Sequence, residues 1–263
     1  MLKLIRLGAA PLPRWPSEPD PSDPYYWRRE ALLYESGLLG GLEGLRAPHL
    51  LGVFEREDGS IALWLEDVPE SPQWTPETLG AFARRLGRAQ ATFARRLPDE
   101  DWLPKGFLRR YVRLHEIGGA ECETVLARLD TLPHTLAHND LHPANVHGDG
   151  TVVLDWAFGG LSPLGLDPGV LVADGIADGV ISAEQSDAVG RAVWDGYAAG
   201  LRDSGFKDDV DAIRWAFLRG TALRLSWLDP ARAREGWMKE AWRAAISILE
   251  GWREVARGLP SEP

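Results

Sequence analysis

Four side chains between residues 138 and 155 have the types and spacing that moving a phosphoryl group demands. They lie in His138-Asn139-Asp140-Leu141-His142-Pro143-Ala144-Asn145 and in Val152-Val153-Leu154-Asp155-Trp156. Phosphoryl transfer asks little covalent chemistry of a protein. It does need a carboxylate to orient and deprotonate the accepting hydroxyl, and oxygen ligands for a divalent cation. The D-x-x-x-x-N spacing supplies both. Asp140 faces the acceptor, Asn145 offers its amide oxygen to magnesium, and Asp155, at the end of the next strand, completes the coordination. Two plainer readings stand beside this one. Asp and Asn are favoured turn and cap residues, and His142 with His147, in an H-x-D-x-H order around Asp140, suggests a metal hydrolase. The first leaves Asp155 without a part, and the second lacks a further cluster of ligands.

The elements that must position these groups are legible from punctuation and periodicity. Residues 2–7 (LKLIRL) read as a short strand, and Pro11, Pro13, Pro16, Pro19, Pro21 and Pro24 make the next stretch a loop. A helix is expected from near Tyr25, because Trp27, Ala31, Tyr34 and Leu38 recur at helical spacing with Glu30 in the same turn as Trp27; the stretch from Gly37 to Gly44 ends it. Strands are expected at about 49–56 and 60–66, joined by Asp58-Gly59. Thr75-Pro76-Glu77 opens a long helix striped by Leu79, Phe82, Ala83, Leu86, Phe93 and Leu97. Further helices are expected across 107–130, 183–201, 208–227 and 232–257, the second of these opened by a capping box of Ser182 and Gln185. VHGDGTVVLDW reads as a hairpin turning at Asp149-Gly150. A small mixed lobe thus meets a larger helical one near residues 66–70. Most of the tryptophans read as core, with Trp237, Ala241, Ala244, Ile248 and Trp252 as one packing stripe. Trp194, Asp195, Trp215 and Trp227 suit an acceptor pocket no better than they suit core.

Composition narrows the partners. The 263 residues, 44% hydrophobic and 26% charged, suffice for one large domain or two modest lobes. A net charge of −10 and only four lysines (Lys3, Lys105, Lys207 and Lys239) argue against nucleic acid and favour a neutral or cationic small molecule. The lone Cys122 cannot form an internal disulfide, which suits a reducing cytoplasm. No secretion signal and no apolar run of membrane-spanning length is present, so no membrane partner is expected.

HNDLHPANV followed by VVLDW resembles the catalytic loop and metal-binding segment of the aminoglycoside phosphotransferase and choline kinase-like group. That resemblance implies an α+β, protein kinase-like fold of two lobes, 1–68 binding nucleotide and 69–263 carrying catalysis and the acceptor. It implies ATP and Mg2+ as cofactors and a small hydroxylated acceptor. By the same resemblance Asp140 is the catalytic base, His138 braces the loop, and Asn145 and Asp155 bind magnesium. YWRREALLYESGLL resembles the family's regulatory-type helix, and ALWLEDV the strand entering the hinge, where backbone groups of Glu66 and Val68 would meet adenine. Asp167 resembles the aspartate that supports the catalytic segment. Asn139 stands where the family usually has glycine, and asparagine is the residue next most tolerant of positive φ.

The resemblance also calls for two strands and a phosphate-covering loop before the lysine strand, and only two residues precede Lys3. Lys3 is therefore the one candidate to pair with Glu30 and contact the α- and β-phosphates, although Glu30 has Arg28 and Arg29 as rival partners. A start downstream of the true beginning is the expected explanation, with weak or absent turnover of the 263-residue form as its consequence. The alternative to an enzyme is a pseudokinase-like module that binds nucleotide or a partner without transfer.

Overall fold

The computed structural model describes residues 1–8, 16–226, 228 and 239–259. Pro11, Pro13, Trp227 and Trp237 fall outside that set, as does part of the expected 232–257 helix. Strand β1 (Leu2–Ile5) lies beside β3 (Ile61–Leu65), which also pairs with β2 (Leu50–Glu55), in an antiparallel sheet ordered β1-β3-β2. Alternation along β1 exposes Leu2 and Leu4 and turns Lys3 and Ile5 inward, and the register sets Lys3 opposite the buried Leu63. Gly59 takes φ +75° at the expected Asp58-Gly59 turn.

Helix α1 (Arg29–Glu35) begins four residues later than the periodicity from Tyr25 suggests. Side-chain and sheet-like bonds hold the preceding residues out of a helix. Asp23 accepts from the Tyr25 N–H, Trp27 N–H bonds to Glu18, and the fully buried Arg29 donates to the carbonyls of Pro21, Asp23 and Trp102. Burial pulls the Arg29 guanidinium down to about 10. Part of the expected glycine-rich break, Leu38–Gly41, is a short 3-10 turn.

Helix α2 (Pro76–Arg95) starts as expected, with the Thr75 hydroxyl accepting from the Thr78 N–H. The helix expected across 107–130 is instead two, α3 (Phe107–Leu114) and α4 (Ala120–Asp130). The chain takes φ +56° at Glu116 and +105° at Gly119, and neither value fits a right-handed helix. Strand β4 (His134–Ala137) pairs with β7 (Gly160–Pro163), and between them the expected hairpin forms from β5 (Val146–His147) and β6 (Val152–Val153). Arg46 joins this hairpin through backbone bonds to Thr151 and Val153.

Helix α5 (Leu166–Ala177) is followed by α6 (Ser186–Asp203), α7 (Val210–Trp215), a π-turn at Ala216–Gly220, α8 (Thr221–Arg224) and α9 (Lys239–Arg257). The expected capping box at Ser182 does not form. Its side chain makes no cap bond, and a 3-10 turn (Ala183–Gln185) leads into α6 instead. The buried residues of α9 are Ala245, Leu249, Trp252 and Ala256; of the expected stripe Trp252 is among them, and Ala244 and Ile248 pack half-buried beside them. No helix among the described residues is long and apolar enough to cross a membrane.

Candidate active site

The loop after β4 is built around one buried carboxylate. Asp167, at the start of α5, accepts the backbone N–H groups of His138 (2.8 Å) and Asn139 (2.9 Å) and the Gln90 side chain (2.8 Å). Burial pushes its carboxyl up, while His138 and these three donors pull it back. Gln90 is itself held by the Tyr197 hydroxyl at 2.6 Å. Asn139 adopts φ +65°, the left-handed conformation asparagine tolerates, and its side chain bonds to Phe158 and Ser162. His138 is buried against Trp156. Its Nε2 lies 2.7 Å from the Leu154 carbonyl and its Nδ1 accepts from Asp140 N–H at 3.3 Å, so both ring nitrogens are engaged in bracing the loop.

Asp140 therefore follows a fixed backbone. One carboxylate oxygen, Oδ1, receives Arg224 Nη2 at 2.8 Å, which leaves Oδ2 for an incoming group. Asn145 donates its amide N–H to the Asp140 carbonyl at 2.9 Å, so its amide oxygen is the free end. Leu154 N–H bonds to Asn145 O at 2.8 Å, and the β5/β6 pairing continues from there, so Asn145 and Asp155 stand at the same end of the hairpin. Asp155 has φ +55°, an uncommon conformation for a residue with a side chain.

Lys3 reaches this end of the hairpin. Its Nζ lies 2.6 Å from Glu30 Oε2 and 2.7 Å from Asp155 Oδ1, joining β1, α1 and the loop after β6. Burial pulls Lys3 down, but Glu30 and Asp155 more than offset it and hold the ammonium above its ordinary value. Burial pushes Asp155 up, and Lys3 outweighs it to keep the carboxylate ionised. Glu30 is wholly buried, and burial raises its carboxyl against the pull of Lys3. The rival partners are engaged elsewhere: Arg28 pairs with Glu55, and Arg29 holds the loop before α1.

The remaining expected residues lie around this centre or away from it. Glu66 N–H bonds to His49, and its carboxylate forms a fork with Arg46 (2.5 and 2.9 Å), which with His49 N–H holds it down at about 2. Val68 is two residues on, past the end of β3. His147 bonds to the Pro69 and Ala144 carbonyls, and His142 stands 3.9 Å from Asp178. No group of three His, Cys, Asp or Glu side chains that could hold a metal ion occurs among the described residues. Trp194 and Asp195 line a groove of about 660 Å³ that shares no residue with the site, and Trp215 lies under Arg128. The Asn145 amide oxygen and the Asp155 carboxylate oxygen that Lys3 leaves unbonded are hard donors of the kind a cation such as magnesium takes.

Sequence reasoning missed Gln90, Arg46, Asp174 and Arg224. None lies within the recognisable stretch, and only Gln90, a polar residue in the apolar face of α2, carried any signal.

The model of a phosphotransferase enzyme family (APH) matches residues 27–206. No curated protein matches the chain. Among solved structures, the amicoumacin kinase hAmiN in complex with AMP-PNP, Ca2+ and Ami is 15% identical, with a TM-score of 0.56 over 86% of this chain and 82% of its own. An APH(2")-IIia complex with GDP and kanamycin is 16% identical, with a TM-score of 0.46 over 87% of this chain and 82% of its own. At these identities the first likeness establishes a shared fold, the mixed kinase-like arrangement of a small sheet and many helices.

Proposed function

The chain belongs to the phosphotransferase enzyme family APH, and on that premise we propose that it moves the γ-phosphoryl group of ATP, with magnesium, to a hydroxyl of a small molecule. The observation that carries this reading is Lys3 Nζ held between Glu30 and Asp155 at 2.6 and 2.7 Å. A cation fixed by two carboxylates from different elements is already oriented when phosphates arrive. Lys3 aligns the α- and β-phosphates, and backbone groups of Glu66 and Val68 face adenine. Residues 1–68 form the nucleotide lobe and 69–263 the catalytic and acceptor lobe.

Asn145 and Asp155 hold the magnesium, which when bound offsets the phosphate charge. Asp140 takes the acceptor's proton on Oδ2 as the acceptor oxygen bonds to the γ-phosphorus and the bond to ADP breaks. His138 keeps the loop in place and takes no part in the proton transfer. A cationic or amino-alcohol acceptor suits the wall beside Asp140, where Asp174 and Asp178 add carboxylates against Arg224 and His142. The buried free Cys122 accords with a reducing cytoplasm.

The test is Mg-ATP binding and consumption across hydroxyl and amino-alcohol compounds, with kanamycin and choline included. Acceptor-stimulated consumption is expected; binding without any stimulation favours a nucleotide-binding module. Asp140→Asn is expected to lower turnover roughly 10²- to 10⁴-fold, the usual worth of a general base. An unchanged rate removes Asp140 from the mechanism.

A further inference from the structure

The guanidinium of Arg224 is the nearest cation to Asp140, yet nothing in its sequence context points there. It comes from α8, 84 residues further along the chain, and its side chain is only 5% exposed. Burying a charge is costly unless it is paired. Arg224 is paired on one side by Asp140 Oδ1 at 2.8 Å and stands 3.9 Å from Asp174 Oδ2. Its guanidinium carbon lies 4.4 Å from the centre of the Tyr111 ring and 5.8 Å from that of Phe107. Two aromatic rings pack beside the guanidinium, and its Nη2 lies between two carboxylates. The bond to Asp140 is a single one from Nη2, but a rigid guanidinium buried against a ring fixes where that nitrogen sits, which a flexible ammonium would not do.

Two features of the backbone exist around this placement. The π-turn at Ala216–Gly220 carries one residue more per turn than an α-turn, so α8 beyond it is rotated by about 100° relative to a continuous helix. Gly169 of α5 lets α8 come close: a β-carbon there would lie 1.9 Å from Thr221 Oγ1 and 2.6 Å from the Phe217 carbonyl. Together they press α8 onto α5 with Arg224 turned toward Asp140 and Asp174.

We propose that Arg224 is a positioning residue for phosphoryl transfer. It holds Asp140 by Oδ1 so that Oδ2 faces the acceptor hydroxyl, and the π-turn and Gly169 deliver it. The inference rests on the role of Asp140 as the base in the proposed function. Too buried to serve as a substrate ligand, Arg224 acts through the carboxylate it holds.

The test uses the full chain. Crystal structures of the parent and of Arg224→Met are compared, and turnover is measured with Mg-ATP and whichever of the hydroxyl and amino-alcohol compounds stimulates consumption most. In the Arg224→Met structure the Asp140 carboxylate is expected to leave its place while the Lys3–Asp155 and His138–Leu154 contacts persist. An unmoved carboxylate overturns the inference. In turnover, Arg224→Met is expected to lower kcat roughly 10²-fold, the scale of a misplaced reacting group, with KM for ATP unchanged. Added to Asp140→Asn it should cost nothing further, since it acts only through Asp140. Losses that multiply instead make Arg224 a brace of the fold and overturn the inference. Should Arg224→Met not fold, Arg224→Lys carries the same measurements with a loss of about tenfold, because it keeps the charge without the rigid planar head that packs on Tyr111. An inactive Asp140→Asn beside a fully active Arg224→Met sinks only the role of Arg224; an Asp140→Asn as active as the parent sinks the reading of the site beneath it.

Discussion

Lys3 is 31% exposed, while the Glu30 carboxylate it meets is 2% exposed. Removing the lysine strands a buried acid, whose desolvation then goes uncompensated. Lys3→Met is therefore expected to lower the free energy of unfolding by about 1–3 kcal/mol, read from urea titration. A loss too small to measure would mean that Glu30 is protonated in the native protein and that the pair contributes nothing. Asp174 gives a pH-dependent case. Burial pushes its carboxyl up to about 7; Arg224 opposes that shift, and Asp140 and Asp178 reinforce it. Because the folded value lies above the unfolded one, the native state binds the extra proton. The stability this confers is complete below about pH 4 and is lost as pH rises through about 7. Asp174→Asn should match the parent near pH 4 and exceed it at pH 8. Urea titrations at the two pH values check this, and an equal difference at both would show that Asp174 does not titrate between them. The residues in the recognisable stretch, from His138 to Asp155, were legible because their order along the chain is their order in the site. Arg224 and Asp174 were not, since a buried arginine and a buried aspartate look in sequence like any solvated pair.

At the scale of elements, α2 and α6 meet through glycines. A β-carbon at Gly196 would stand 2.1 Å from the Gly80 carbonyl, and one at Gly200 would stand 2.1 Å from that of Arg84. Neither carbonyl can retreat without moving its helix. Gly196→Ala is expected to cost about 1–3 kcal/mol by forcing the two helices apart. Gly251, in α9, has nothing within 4 Å of its would-be β-carbon, so Gly251→Ala should stabilise by about 0.5–1 kcal/mol through helix propensity alone. Thermal melts of the two variants should move in opposite directions. If both fall, α9 packs more closely than its open glycine suggests. Periodicity located α2 and the β5/β6 hairpin because strong local signals, Thr75-Pro76 and Asp149-Gly150, mark their ends. It joined α3 to α4 across Gly118-Gly119, and it missed the π-turn because Ala216, Phe217, Leu218 and Gly220 are all buried there and leave no polar face to mark the extra residue.

At the scale of the whole molecule, the site depends on distant parts of the chain meeting: β1, α1, the loop after β4, the β5/β6 hairpin and α8. A ligand that touches several of them should tie the fold together. Mg-ATP at a hundred times its Kd is expected to stabilise the protein by about 2.7 kcal/mol. Asp155→Ala should abolish the shift, and calorimetry with and without nucleotide measures both. A shift that survives in Asp155→Ala would place the nucleotide away from the Lys3 end of the hairpin. The chain by itself indicated the fold class and the candidate base and cation ligands, through residue type, order and the family resemblance; it left Glu30 open between Lys3, Arg28 and Arg29, and folding settled that pairing. Only the folded molecule decided which groups face those residues from elsewhere, above all the arginine on Asp140. Such a contact arises from a rotated helix packed on a glycine, and spacing along the chain does not encode how far one helix turns against another.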